Sequence, residues 1–138
     1  MFELPVKQLK LRAWDSKTEQ WLVAGKWSHD FMIDSVGVIA GVPDKWSGSE
    51  DPKDFIVTQY INLDDANGAG IYEGDVVEHH QIIPEKGIDN LLGTYVVIFE
   101  QGRFVFHDPK QPQISGHYVT PSSLIVIGNV FENPELVA

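Results

Sequence analysis

At 138 residues, 43% of them hydrophobic and 11% aromatic, the chain can bury a core without disulfide or metal staples, so disorder is excluded. Twenty acidic residues against ten basic ones leave a formal net charge of -10, which argues against a nucleic-acid partner because phosphate backbones are bound chiefly by releasing counterions to Lys and Arg. With no cysteine, disulfides, thiolate metal sites and Cys nucleophiles are also excluded.

Lys7 to Trp14 alternates, with Leu9, Leu11 and Ala13 on one side and Lys10, Arg12 and Trp14 on the other. Period two predicts a half-buried strand. Asp15, Ser16 and Lys17 make a turn cluster, and Gln20 to Ala24 resumes an apolar run closed by Gly25, so a hairpin is expected at the N-terminal end. Lys7, Lys10 and Arg12 form the visible basic cluster, too few cations to drive nucleic-acid binding. The opening residues MFELPVKQLKLRAW lack the apolar centre of a signal peptide, and no apolar run approaches the roughly 20 residues of a membrane helix. No membrane association is expected.

Phe31 to Val42 is apolar and β-branched, with glycines that would each cost a helix about 1 kcal/mol, so it is predicted as a strand. Pro43 to Asp54, PDKWSGSEDPKD, is predicted as an exposed loop. Trp46 lies within it. A large aromatic in a polar loop either packs beneath that loop or is offered to a partner, which makes Trp46 the candidate partner-binding residue. Trp14, Trp21 and Trp27 sit beside apolar runs and are expected in the core or at its rim.

Phe55 to Leu63 is the next strand, followed by an Asn67-Gly68 turn and a strand over Ile71 to Glu78. Beyond His79-His80 the pattern breaks at Pro84, Gly87 and Gly93, where a short helix or a loop is expected. Thr94 to Glu100, Gln101-Gly102 and Arg103 to His107 read as the clearest hairpin in the chain. A loop from Asp108 to Gly116, a short strand over His117 to Thr120, a helical turn at Pro121-Ser122-Ser123 and a strand over Leu124 to Phe131 complete it. The sum is a single all-β domain with little helix, a small barrel of about residues 55–138 preceded by a β region of about 1–54.

Candidate chemistry is sparse. Gly68 and Gly70 start a G-x-G pattern, but Glu73 stands where the third glycine of a dinucleotide loop belongs, and no P-loop lysine follows. Read as a calcium loop, the same stretch puts Leu63 at the first ligand position and Gly74 where a bidentate Glu should be. His79 and His80, adjacent on a strand, point to opposite faces and cannot chelate one ion together. His29, His107 and His117 would have to converge through the fold. The carboxylate pairs Glu73 with Asp75, Asp64 with Asp65, and Glu132 with Glu135 carry no sign of the unlike environments that acid-base catalysis needs. Ser122-Ser123 lack a G-x-S-x-G context. No catalytic residue, cofactor or metal is expected.

Four segments taken in order, LRAWDSKT (Leu11 to Thr18), QYINLDDANGAGIYEGDVV (Gln59 to Val77), VVIFEQGRF (Val96 to Phe104) and IGNVFENPEL (Ile127 to Leu136), resemble the YopX-like proteins of bacteriophages and prophages. The matching positions are Arg12, Ala13, Trp14 and Asp15, then Asn67, Gly68, Ile71, Tyr72, Gly74 and Asp75, then Gly128, Asn129, Asn133 and Pro134. Ile61-Asn62 stands where Thr-Gly is typical, and Ala69-Gly70 replaces a more charged pair. The resemblance implies an all-β structure with an SH3-like barrel, a phage or bacterial origin, and no established activity. The expected role is a non-catalytic accessory protein of the bacterial cytoplasm that binds another protein or itself. An acidic mimic of nucleic acid that inhibits a host enzyme is the alternative; a small hydrolase or a nucleic-acid module ranks below both.

Overall fold

The computed structural model describes residues 2–22, 32–33, 39–40, 54–83, 85 and 87–138. As the alternating patterns require, the protein is all-β and barrel-like, built from curled antiparallel strands, with short 3-10 turns at Pro121–Ser123 and Pro134–Val137. It divides into two compact units, one of Lys10–Gln59 and one of Met1–Leu9 with Tyr60–Ala138. No helix among the described residues is long and apolar enough to cross a membrane.

In the Lys10–Gln59 unit, β1 (Leu11–Asp15) pairs with β2 (Gln20–Leu22), which is the hairpin read from the sequence. The strand starts at Leu11 rather than Lys7, because its ladder with β5 (Phe55–Asp64) begins at Leu11 opposite Gln59. Burial also departs from simple alternation: Ala13, Trp14 and Asp15 are all buried. Trp14 stacks edge-on against Trp21 at 5.0 Å, and the Arg12 guanidinium lies 4.5 Å from the centre of the Trp21 ring. The run from Phe31 to Val42, expected as one strand, contains two antiparallel strands instead, β3 (Met32–Ile33) and β4 (Ile39–Ala40). Trp27, His29 and the loop residues 43–53, Trp46 among them, lie outside the described residues.

The larger unit starts where β5 passes Tyr60. Tyr60 and Asp64 pair with Tyr72 and Gly70 of β6 (Gly70–Tyr72). A four-stranded sheet follows in the order β10-β7-β8-β9, formed by β7 (Asp75–Ile83), β8 (Gly87–Glu100), β9 (Arg103–His107) and β10 (Leu124–Asn129). Its core is Ile71, Val77, Val97, Phe106, Val119 and Leu124, with Ile61, Leu63, Tyr95 and Val126 packed around them. Burying such a side chain is worth about 1.5–3 kcal/mol, so this cluster is the main source of the unit's stability.

Two expectations need correction here. The described residues on either side of Pro84 are strand rather than helix or loop, since β7 runs on to Ile83 and β8 returns from Gly87. Bulges on either side of His80 absorb the irregular pattern that mimics a break. His117 to Thr120 is not a strand beyond a single bridge between His117 and Phe106. The β8–β9 hairpin turns through Gln101 (φ 51°) and Gly102 (φ 82°). Both central residues at positive φ match the right-handed twist of the flanking strands.

Candidate functional site

The residues that stand out in the sequence are first of all turn builders. Asp15 is fully buried at the end of β1, where its Oδ1 accepts from the Lys17 N–H at 3.0 Å and its Oδ2 from the Thr18 hydroxyl at 2.7 Å. Asp65 accepts from the N–H groups of Asn67 and Ala69 at 2.9 and 2.8 Å through Oδ1. Through Oδ2 it accepts from the N–H of Val126 on β10, at 2.9 Å. Asp75, buried at the start of β7, accepts from the Tyr72 N–H at 2.8 Å. The Asn129 side-chain oxygen takes the N–H groups of Phe131 and Glu132, and its amide donates to the Glu132 carboxylate at 3.0 Å. A short polar side chain that closes a turn on its own backbone replaces the ladder bonds lost where a strand ends. These acids and amides therefore build turns.

Gly74 joins β6 to β7 at φ 89°, its N–H donating to the Val97 carbonyl and its own carbonyl accepting from Val130. A Cβ there would stand 2.9 Å from Phe131. Both backbone conformation and space call for glycine. At the position where the family typically has a glycine, Asn62 takes φ 63°, a region Asn tolerates better than most residues. Its side-chain oxygen accepts from the Gln8 N–H at 2.7 Å. Tyr60 donates its phenol to Asp64 at 2.6 Å, and this bond, with burial, holds the phenol above its ordinary pKa.

Three of the described histidines, His79, His80 and His117, lie near one another. His79 on β7 and His117 both approach the Tyr95 ring, at ring-centre distances of 6.2 and 5.1 Å. Burial, then the neighbouring His117 and His80, hold the His79 imidazole below its usual pKa. His80 turns to the Glu78 carboxylate at 3.1 Å. Among the described residues no group of three or more His, Asp or Glu is placed to hold a metal ion.

Beside Tyr95 the surface of this unit carries two clefts that share Asp108. One, of about 330 Å³, is lined chiefly by Leu91, Leu92, Thr94, Pro109 and Leu136. The other, of about 180 Å³, holds Tyr95, Gln111, Ser115 and His117. Asp108 accepts from the Lys110 N–H at 2.9 Å and from the Gln111 amide at 3.1 Å, which folds the loop into the wall of both. Leu91 and Leu92 are each more than half exposed. An apolar floor next to a few convergent hydrogen-bonding groups is the composition of a peptide or ligand cleft. Sequence reasoning missed it because Leu91 and Leu92 fall in the stretch that looks like a break, and their exposure depends on the β7–β8 register.

Residues 10–138 match the family model described as YopX protein. Among solved structures the chain is similar to the protein EF1440 from Enterococcus faecalis, at 23% identity over 95% of this chain and 99% of that one, with a TM-score of 0.56. It is similar also to the protein yopX from Bacillus subtilis, at 20% identity over 93% of this chain and 95% of that one, with a TM-score of 0.57. At such identities the likeness speaks for the fold. A search of curated proteins finds no match. With the family model running over all but the first nine residues, the chain belongs to the YopX family.

Proposed function

We propose that this chain is a phage- or prophage-encoded accessory protein that acts without catalysis, as a β-domain binding another protein in the cytoplasm of its bacterial host. The observation that carries this reading is the cleft of Leu91, Leu92 and Leu136 beside Asp108, with its leucines left in solvent. Exposed apolar groups that share one cleft mark interaction surfaces more often than scattered single ones do. The carboxylates a hydrolase would recruit, Asp65 and Asp75, are engaged by backbone N–H groups instead. Affinity purification from the native host tests the reading, with Leu91→Asp, Leu92→Asp as the control. A partner recovered with the unaltered chain and lost with the control is expected. Equal recovery by both, or none by either, would refute it.

A further inference from the structure

Residues 2–9 belong to no strand, and their apolar side chains stand in solvent: Phe2 is 84% exposed, Leu4 82%, Val6 96% and Leu9 75%. A spacing of two places Phe2, Leu4 and Val6 on one face of an extended chain. Such exposure also shows that the arm does not lie in a cleft of its own molecule. We propose that the arm of one copy occupies the cleft of Leu91, Leu92, Pro109 and Leu136 on a second copy. The inference rests on the protein-binding reading above and names the partner as another copy of this chain.

Three observations favour that occupant. The cleft, at about 330 Å³, is at the low end of ligand pockets, which run to about 1,000 Å³. It suits a few aliphatic side chains of an extended segment rather than a folded element. Charge points the same way, because residues 2–9 carry one lysine against one glutamate, in a chain whose other residues number nine basic against nineteen acidic. An arm without net charge meets less repulsion than the rest of the chain would on approaching an acidic body. Asp108 at the cleft wall uses two of a carboxylate's roughly four acceptor sites on Lys110 and Gln111, leaving capacity for Lys7. Area is sufficient too. A phenylalanine alone brings about 150–250 Å², and two exchanged arms of one aromatic and two aliphatic side chains, counted together with the cleft surface each covers, come to the roughly 1,200 Å² at the low end of stable interfaces. Each chain has one arm and one cleft, so every arm in an assembly finds a cleft.

The absence of native cysteine makes the test direct. Protein carrying Val6→Cys is mixed with protein carrying Leu91→Cys under mild oxidation, and a covalent pair containing one of each is expected. Sedimentation of the unaltered chain across concentration should show an oligomer that falls to single chains with Leu4→Asp, Val6→Asp. That variant touches no core residue, and near-ultraviolet dichroism checks that it stays folded. A monomer at the highest soluble concentration, an oligomer indifferent to the arm variant, or no mixed disulfide would each overturn the proposal. Host-protein recovery that survives the arm variant but not Leu91→Asp, Leu92→Asp would leave the general binding reading standing while removing the arm from it.

Discussion

The Asp65 carboxylate reaches across 61 residues of sequence to take the N–H of Val126, while its other oxygen closes the turn at Asn67 and Ala69. One buried side chain thereby both shapes the β5–β6 turn and ties it to the edge strand β10. The Ala66 N–H adds a second link, to the Leu124 carbonyl at 2.8 Å. Removing the carboxylate in Asp65→Ala leaves these donors without an acceptor in a place water reaches poorly, at a cost of about 3 kcal/mol. For a chain of this size that amounts to a fall in melting temperature of roughly 10 °C. Asp65→Asn retains one carbonyl oxygen and should lose less. Thermal or urea melts of the two variants check the order, and an Ala variant as stable as the parent would show that the brace carries no weight.

Gly74 and Gly68 separate backbone strain from collision. Both have positive φ, 89° and 82°, but a Cβ at 68 meets nothing within 4 Å, whereas at 74 it meets Phe131 at 2.9 Å. Gly68→Ala should cost about 1–2 kcal/mol, the penalty for a left-handed non-glycine residue. Gly74→Ala should cost more than that, and Gly74→Val more again. Adding Phe131→Ala should recover part of the loss at 74 and none at 68. Denaturant midpoints of the parent, of Phe131→Ala alone and of these variants decide it; equal losses at the two glycines would mean that Phe131 moves aside freely.

How much of this was legible in the sequence follows from distance along the chain. The Gln101-Gly102 hairpin and the Asn67-Gly68 turn were, because both are set by residues a few positions apart. So was the family, through short motifs whose residues prove to be turn builders, Asp15, Asp75 and Asn129 among them. The Asp65 bond to Val126 was not, since nothing local marks a partner 61 residues away. Nor was the β7–β8 hairpin, where Gly87 and Gly93 imitate a break and bulges at His80 keep the ladder going. The cleft at Leu91 and Leu92 depends on that same register. Trp46, the sequence's candidate for a partner contact, lies outside the described residues.

Arg12, one of the three cations of the N-terminal basic cluster, is held by its own unit. Its Nε donates to the Thr58 hydroxyl at 3.1 Å and its guanidinium stacks on Trp21, so it is engaged within its own unit. Three cations in the N-terminal cluster, set against a net charge of -10 for the chain, offer little electrostatic drive toward a phosphate backbone. Single- and double-stranded DNA should therefore show no binding even at about 50 mM salt, where counterion release is most favourable. Anisotropy of a labelled oligonucleotide measures this, and binding that weakens steeply with added salt would contradict it.

His79 should make stability depend on pH in a defined direction. Its pKa is lowered from 6.5 in the folded protein, by burial first and then by His117 and His80. Below pH 6.5 the unfolded chain therefore takes up a proton that the folded chain still refuses, and stability falls as pH falls toward the folded value. Above pH 6.5 the contribution of the neutral imidazole is fully present. Glu73 acts oppositely at the acid end: burial raises its pKa from 4.5, so its contribution is lost as pH rises from that value. Urea denaturation of the parent between pH 5 and 7.5 should show lower stability at the acid side, and His79→Gln should flatten the slope just below pH 6.5. With the series extended down to about pH 4, Glu73→Gln should change the profile just above pH 4.5 and leave the slope just below pH 6.5 in place. A His79→Gln profile parallel to the parent's would place the titration elsewhere.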